Sequence, residues 1–172
     1  MIIDLASLGV SPKQFEISFA PDEIDIDGEA TIKSEIAFNG QVSRIDERTF
    51  VRGAIKADAE VDCTRCLEPV ERPIDITFED VFVEAIAESD KEEAEIAVEQ
   101  LDEALLESEE IDLTEVVREQ ILLDLPEQIF CKEDCRGLCP QCGGNRNLID
   151  CSCERDQVDP RWAALKALQN LN

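Results

Sequence analysis

The sequence predicts an α+β protein: an antiparallel β-rich body covered by one or two helices and followed by a C-terminal cysteine-rich segment. Three observations lead to this fold class. Residues 1–83 mostly alternate apolar and polar side chains, with the period of half-buried strands. Two later segments carry helix start signals. Six of the eight cysteines lie between residues 131 and 153.

The N-terminal region is predicted to form half-buried antiparallel strands. Asn39-Gly40 is a plausible hairpin turn between two of them. Pro69 and Pro73 place the preceding Cys63-Thr-Arg-Cys66 pair at a strand end or in a tight turn. The alternating segments are residues 15–19, 30–38, 50–55, 57–61 and 74–78.

An acidic stretch and a helix follow the strands. Residues 84–112 contain 13 acidic side chains and one lysine, which favours a solvated linker over the alternative, an ordered acidic helix. A helix is then predicted over residues 112–125, because Asp112 can cap its start and Pro126 ends it. Its apolar stripe suits packing against one face of the sheet. The stripe consists of Leu113, Val116, Val117, Ile121, Leu122 and Leu125.

A second helix is predicted from Asp159, because Asp at the cap and Pro160 at the first helical position mark a helix start. Trp162 lies on its apolar face, which either packs on the sheet or docks a partner. We therefore divide the chain into an acidic β-rich domain, residues 1–130, and a cysteine-rich segment with the C-terminal helix, residues 131–172. We expect the two to pack as one unit.

The net charge of −25 is unevenly distributed. Residues 1–130 hold 35 acidic and 10 basic side chains, whereas residues 131–172 hold six of each. Such a body repels a phosphate backbone and attracts basic proteins. The chain has no histidine, which excludes histidine-dependent triads and general bases.

The expected compartment is the cytoplasm. Asp4 occupies a position where a signal peptide carries a basic residue, and no apolar run approaches the roughly 18 residues of a membrane span. Thiols stay reduced in that compartment, so eight cysteines are better explained by metal than by disulfides.

A zinc-ribbon-like site is predicted near the C-terminus. Cys139-Pro-Gln-Cys142 supplies two thiolates from one turn, and Gly143 and Gly144 allow positive φ and close backbone approach. Cys151 and Cys153 complete a local set of four. Because residues two apart in a strand point to opposite faces, this last segment must bend if both thiolates hold one ion.

The other four cysteines would form a second site across the fold, giving one or two Zn²⁺ ions in all. A mixed arrangement stays open, because Cys131, Cys135 and Cys139 are spaced four apart and could share one face of a helical turn. Arg136 and Arg65 could offset the charge of four thiolates. The cross-fold set is Cys63, Cys66, Cys131 and Cys135.

Two other chemistries compete with structural zinc. A redox C-x-x-C is disfavoured, because neither pair starts a helix whose dipole would lower the thiol pKa. Free thiols or an iron–sulfur cluster are disfavoured for a different reason: the cysteine spacings match none of the common ferredoxin runs.

Four motifs resemble the YceD family, and they occur in the family's order over nearly the whole chain. They are Cys63-Thr-Arg-Cys66-Leu-Glu-Pro69; Ile111-Asp-Leu113 with Ile121-Leu-Leu-Asp-Leu-Pro126; Cys131-Lys-Glu-Asp-Cys135-Arg-Gly-Leu-Cys139-Pro-Gln-Cys142-Gly; and Asp159-Pro-Arg-Trp162. The resemblance implies a role in ribosome biogenesis, in the synthesis, processing or stability of 23S rRNA. It implies no catalytic residues. The chain departs from the family pattern at Arg146, where leucine is common.

Three functions follow. The favoured one is a non-catalytic factor that binds a basic ribosomal protein or the maturing large subunit. The alternative is a zinc-dependent rRNA-binding protein, using charge-balanced residues of the C-terminal segment. A thiol oxidoreductase is the weakest. The candidate partner-binding residues are Arg136, Arg146, Arg161 and Trp162.

Overall fold

The computed structural model of the protein describes residues 1–8, 11–26, 28, 30–84, 103–106 and 108–153. It contains one α-helix and eight strands in these ranges, with a short 3-10 helix at Leu5–Ser7. The strands are β1 (Ile2–Asp4), β2 (Lys13–Phe19), β3 (Thr31–Ile32), β4 (Ile36–Ile45), β5 (Arg48–Asp62), β6 (Pro69–Glu84), β7 (Glu103–Leu106) and β8 (Glu110–Asp112); the helix is α1 (Leu113–Asp124).

Six strands form one sheet in the order β2-β4-β5-β6-β7, with β3 pairing beside β5. All its pairings are antiparallel except β6 with β7, which is parallel. The long β5–β6 hairpin is its centre, and runs in register from Arg48↔Val83 to Asp62↔Pro69. The antiparallel β-rich body predicted from the alternation is therefore confirmed, with a parallel strand at one edge.

The predicted turn at Asn39-Gly40 is wrong. Both residues lie inside β4, and the chain reverses at Asp46, whose φ is 55°. Gly40 pairs with Gly53 of β5, and the buried Phe38 ring covers both, so that a Cβ at either position would overlap the ring. These glycines serve close packing rather than chain reversal.

Strand boundaries also differ from the alternation pattern. The segments predicted at 50–55 and 57–61 belong to one strand, β5. The segment predicted at 30–38 is split into β3 and β4 by an irregular stretch, where Ser34 Oγ accepts from the Asp58 amide at 2.7 Å. A side-chain oxygen here replaces a ladder bond, which alternation does not reveal.

Helix α1 covers one face of the sheet, as its apolar stripe predicts. The Asp112 side chain caps it, accepting from the Thr114 amide at 2.9 Å. Its N-terminal end is held by the two-stranded β1–β8 sheet and by the Leu113 amide donating to Met1 O. The core between sheet and helix includes the fully buried Phe38, Ile36, Val42, Val51, Ile55, Leu113, Val117 and Ile121.

Two short strands lie within residues 84–112, where the composition predicts a linker. Arg48 forms an ion pair of 2.7 Å with Glu103 of β7, and Leu106 packs against the core. An acidic average over the whole stretch conceals these few anchoring contacts. Residues 85–102 and 107 lie outside the described ranges, and so does the helix predicted from Asp159. No helix in the described part of the chain is long and apolar enough to cross a membrane.

Candidate metal centre

The eight cysteines gather into two groups of four, and these are the two sets proposed from the sequence. In each group all four Sγ atoms lie within 4.8 Å of one another. We call Cys63, Cys66, Cys131 and Cys135 the inner site, and Cys139, Cys142, Cys151 and Cys153 the outer site. None of the eight forms a disulfide. The mixed arrangement, with Cys139 joining Cys131 and Cys135, is not the one observed.

The inner site has the dimensions of a tetrahedral metal centre. Sγ of Cys63 lies 3.8 Å from that of Cys135, and Sγ of Cys66 lies 3.5 Å from that of Cys131. Four sulfurs about 2.3 Å from a tetrahedral ion stand about 3.8 Å apart. The donor set and the spacing therefore fit one divalent ion, which these four residues could hold.

The inner site begins in the turn that joins β5 to β6. The Leu67 amide donates to Cys63 O and the Cys63 amide to Glu68 O, both at 2.9 Å. Leu67 has a φ of 60°, in the left-handed region that favours glycine. The turn brings both thiols of the C-x-x-C pair to one side, facing residues 131–135.

The outer site begins in a turn with the same backbone hydrogen bonds. The Gly143 amide donates to Cys139 O at 2.8 Å, and the Cys139 amide donates to Gly144 O at 2.9 Å. Gly143 has a φ of 71°, as predicted. Gly144 meets the Ile149 side chain, which a Cβ would overlap. The two turns are local repeats of one structure, with leucine in one and glycine in the other.

Backbone amides make one thiol in each turn acidic. Burial raises the pKa of Cys63, but amide hydrogen bonds from Cys131, Arg65 and Cys66 outweigh it and lower that pKa to about 6. Amide hydrogen bonds from Cys142 and Gln141 likewise lower the pKa of Cys139 to about 6. The thiolate is the form that binds metal, so each turn presents one prepared ligand.

Crowding of sulfurs has the opposite effect on the later cysteines. Burial and hydrogen bonds to neighbouring sulfurs, first Cys66, raise the pKa of Cys131 to about 12. Hydrogen bonds to Cys142 and Cys139 raise the pKa of Cys153 to about 12. Four thiols this close do not ionise together without a cation, because each new thiolate repels the others. A divalent ion is the group that relieves this repulsion.

The two sites differ in burial. Cys63, Cys66 and Cys135 are buried in a small cluster with Val70, Phe130 and Leu138, and only Cys131 is exposed. In the outer site only Cys139 is buried, while Cys142 is exposed. Solvent therefore reaches the outer ligands more readily.

Arg65 holds the C-terminal segment against the inner turn. Its guanidinium lies 4.0 Å from the centre of the Phe130 ring, and its Nη1 donates to Cys135 O at 3.1 Å. Its own carbonyl accepts from the Leu138 amide at 2.9 Å. These contacts give Arg65 a positioning role, which the sequence did not suggest, while its charge-balancing role stays a prediction.

Two of the predicted partner-binding residues lie beside the outer site. Arg136 pairs with Asp150 at 3.1 Å. Arg146 is half-buried and lines, with Arg136, a crevice of about 270 Å³ that also touches Cys139, Cys151 and Cys153. Arg161 and Trp162 lie outside the described residues.

Two asparagines are functional candidates that the sequence reasoning missed. Asn147 Nδ2 lies 3.3 Å from Cys135 Sγ, and Asn145 Nδ2 donates to Glu68 Oε1 at 3.0 Å. Both belong to the loop between the two cysteine pairs of the outer site, yet both contact the inner site or its turn. Their position just after the Cys139–Gly144 turn was the available signal.

The fold and its sites define a class: a mostly antiparallel sheet covered by one helix, with two four-cysteine groups that could each hold a metal ion. A comparison with known protein families identifies the family. Residues 51–169 match the family described as "Large ribosomal RNA subunit accumulation protein YceD", and the chain belongs to that family.

Relatives extend over most of the chain. An uncharacterized protein of Mycobacterium tuberculosis is 29% identical over 96% of this chain and 79% of its own length. The uncharacterized protein YlbN of Bacillus subtilis is 34% identical over 66% of this chain and 62% of its own. In maize, a chloroplastic large ribosomal RNA subunit accumulation protein YCED homolog 1 is 23% identical over 90% of this chain and 60% of its own. No solved structure matches the chain.

Proposed function

We propose that this protein is a non-catalytic factor in large-subunit ribosome biogenesis, that it supports the accumulation of 23S rRNA, and that it acts by binding a basic ribosomal protein. Two Zn²⁺ ions hold its C-terminal segment to its acidic sheet. The family description supports the ribosomal role. The observation that carries the mechanism is the pair of complete four-thiol groups, each with every ligand supplied by the chain.

Zinc is the metal favoured by this donor set. Four thiolates in a tetrahedral arrangement suit Zn²⁺, and a full set of protein ligands is typical of a structural ion with no open position for a substrate. Bound there, the ion would neutralise thiolate charge and tie residues 63–66 to residues 131–135. The chain's own amides and Asn147 orient the sulfurs.

The acidic sheet face is the proposed surface for the basic protein. Along β6 the exposed side chains alternate with half-buried or buried ones that face α1. The exposed set includes Glu71, Asp75 and Glu79. Asp75 and Glu79 pair with Lys56 and Arg52 in exposed ion pairs. Such pairs contribute little to stability, so a basic partner can exchange for them at low cost.

A direct binding assay tests the partner class. The triple variant Glu71→Gln, Asp75→Asn, Glu79→Gln should weaken binding to RNA-free basic proteins extracted from large subunits by about tenfold. The variant Asp80→Asn, on the opposite face of the same strand, is the matched control and should leave binding unchanged. Equal affinity for the triple variant and the unaltered chain would contradict this surface.

The crevice beside the outer site favours a second candidate, an rRNA-binding protein. Arg136 and Arg146 line it, and guanidinium groups are suited to phosphate. In a salt titration with 23S rRNA, this candidate predicts a log–log slope of about −1 to −2, which Arg146→Ala reduces. If the protein binds no rRNA at about 50 mM salt but still binds basic ribosomal proteins, the rRNA-binding candidate is excluded and the first function remains.

A thiol oxidoreductase is the weakest candidate. The two thiols whose pKa is lowered to about 6, Cys63 and Cys139, are both buried, with exposed fractions of 0% and 5%, which disfavours attack on a substrate disulfide. Cysteines that react rapidly with a thiol reagent, in a protein with less than about one zinc per chain, would revive it.

A further inference from the structure

We propose that the inner and outer sites bind metal cooperatively and that Asn147 is the residue that couples them. This inference rests on the zinc binding proposed above. Its basis is a contact between sites: Asn147 belongs to the outer loop by sequence, but its side chain contacts an inner ligand.

The side-chain amide group of Asn147 has a contact at each of its two polar atoms. Its Oδ1 accepts from the Arg136 amide at 2.9 Å, which leaves Nδ2 facing Cys135 Sγ at 3.3 Å. A donor at this distance from the sulfur can hydrogen-bond to the thiolate that would bind the inner ion, and so fix its orientation. Asn147 thus acts on the inner ion through a ligand, as a positioning residue.

The loop that carries Asn147 is bounded by the outer ligands. Eight residues separate Cys142 from Cys151, so an ion bound by both fixes the two ends of that loop. Inside it, Asn145 Oδ1 accepts from the Asn147 amide at 2.9 Å. Asn145 O accepts from the amides of Leu148 and Ile149, both at 3.0 Å. Occupancy of the outer site therefore restricts the region from which Asn147 reaches Cys135.

Further hydrogen bonds join the same loop to the inner turn. Asn145 Nδ2 donates to Glu68 Oε1, and Glu68 O accepts from the Cys63 amide. The Arg146 amide donates to Gly137 O at 2.9 Å, next to the Leu138 amide that donates to Arg65 O. Direct hydrogen bonds therefore connect the loop of the outer site to the turn of the inner site.

The expected coupling is the change in metal affinity caused by losing a hydrogen bond to a metal ligand. Removal of such a partner costs about 10- to 100-fold in metal affinity. Binding linkage is reciprocal, so emptying the inner site should weaken the outer site by the same factor as emptying the outer site weakens the inner one.

The test measures zinc occupancy of each site over a series of chelator concentrations, by alkylation of free cysteines and mass spectrometry of the full chain. In the variant Cys151→Ser, Cys153→Ser, the inner affinity should fall about 10- to 100-fold. Asn147→Ala should cause a similar fall while the outer ligands remain. In the serine background, Asn147→Ala should add little, because the loop is already released. Asn39→Ala, on the exposed sheet face, is the control and should change neither site.

Inner affinity that is unchanged in the serine variant, or an Asn147→Ala effect that is equally large in both backgrounds, would overturn the coupling while leaving zinc binding intact. A chain that binds no zinc at either site would overturn the zinc assignment itself, and the coupling with it. A purely structural role for Asn147 would not make its effect depend on the outer ligands.

Discussion

The inner and outer sites share one turn but connect different parts of the chain. Both start from a C-x-x-C turn with the same two backbone hydrogen bonds, and both offer four thiols within 4.8 Å. In the inner site, Cys66 contacts Cys131 across a sequence separation of 65 residues, and Cys63 contacts Cys135 across one of 72 residues. The outer ligands, in contrast, all lie between Cys139 and Cys153. The same local chemistry therefore has a global consequence in one site and a local one in the other.

With the proposed zinc bound, this difference locates where metal-binding energy would contribute to folding energy. Closing the inner site brings the β5–β6 turn and residues 131–135 together, so an ion there opposes separation of sheet and C-terminal segment. Closing the outer site fixes a loop of eight residues, and Asn145 and Asn147 of that loop contact the inner turn and the inner ligand Cys135. We therefore interpret the inner site as the structural clasp and the outer site as its support.

The largest predicted effect separates the two sites by stability. Cys63→Ser removes a fully buried ligand and should lower the free energy of unfolding by about 4 kcal/mol or more, as loss of a metal site can. Cys142→Ser removes an exposed ligand and should cost about 1–2 kcal/mol. Urea denaturation at saturating zinc measures both. Equal costs would break the distinction between clasp and support.

A smaller effect tests the shared turn. Leu67 is 59% exposed and has a φ of 60°, so Leu67→Gly should stabilise the protein by about 1 kcal/mol through relief of the left-handed conformation. Gly143→Ala places a Cβ in open space at a φ of 71° and should destabilise by about 1 kcal/mol. Thermal unfolding of the two variants should give shifts of opposite sign. Shifts of the same sign would show that the turns are not equivalent.

The smallest effect lies at the end of the sheet remote from both sites, and serves as the reference for them. Burial raises the pKa of Asp80 above 3.8, although Gln120 donates to both its oxygens. The protonated carboxyl group therefore contributes to the free energy of unfolding at low pH, and this contribution is lost as the pH rises through the folded-state pKa. Asp80→Asn should stabilise the protein at pH 7, and the gain should disappear near pH 3.

The matched measurement is denaturation at both pH values with zinc occupancy followed in parallel. Occupancy should be the same in Asp80→Asn as in the unaltered chain at each pH, because Asp80 lies on the sheet far along β6 from the inner turn. A gain that is as large at pH 3 as at pH 7 would show that charge is not its cause.

Short-range sequence patterns correctly predicted the elements that depend mainly on short-range interactions. The alternation of β2, β5 and β6 and the apolar stripe of α1 were sufficient to place a β-rich body under one helix. The Asn39-Gly40 prediction failed because those residues are under the Phe38 ring, a contact made by tertiary packing. The linker prediction missed β7 for a similar reason, since its anchor is a cross-strand pair with Arg48.

Spacing predicted two candidate sets of cysteines but left a mixed arrangement open, and it said little about their surroundings. Two C-x-x-C pairs and four further cysteines restrict the possible sets to a few. The contacts of Asn147, Asn145 and Arg65 depend on how the outer loop folds onto the inner turn, and no periodicity encodes that docking. Residues that position ligands are therefore found in the structure rather than in the motif.

Zinc content of the protein, purified without added metal, is the most direct test of the account. Native mass spectrometry should show two zinc ions per chain, and alkylation under the same conditions should modify none of the eight cysteines rapidly. One zinc ion or none, with the cysteines of the inner site reacting freely, would contradict the claim that a metal clasp holds the C-terminal segment to the sheet.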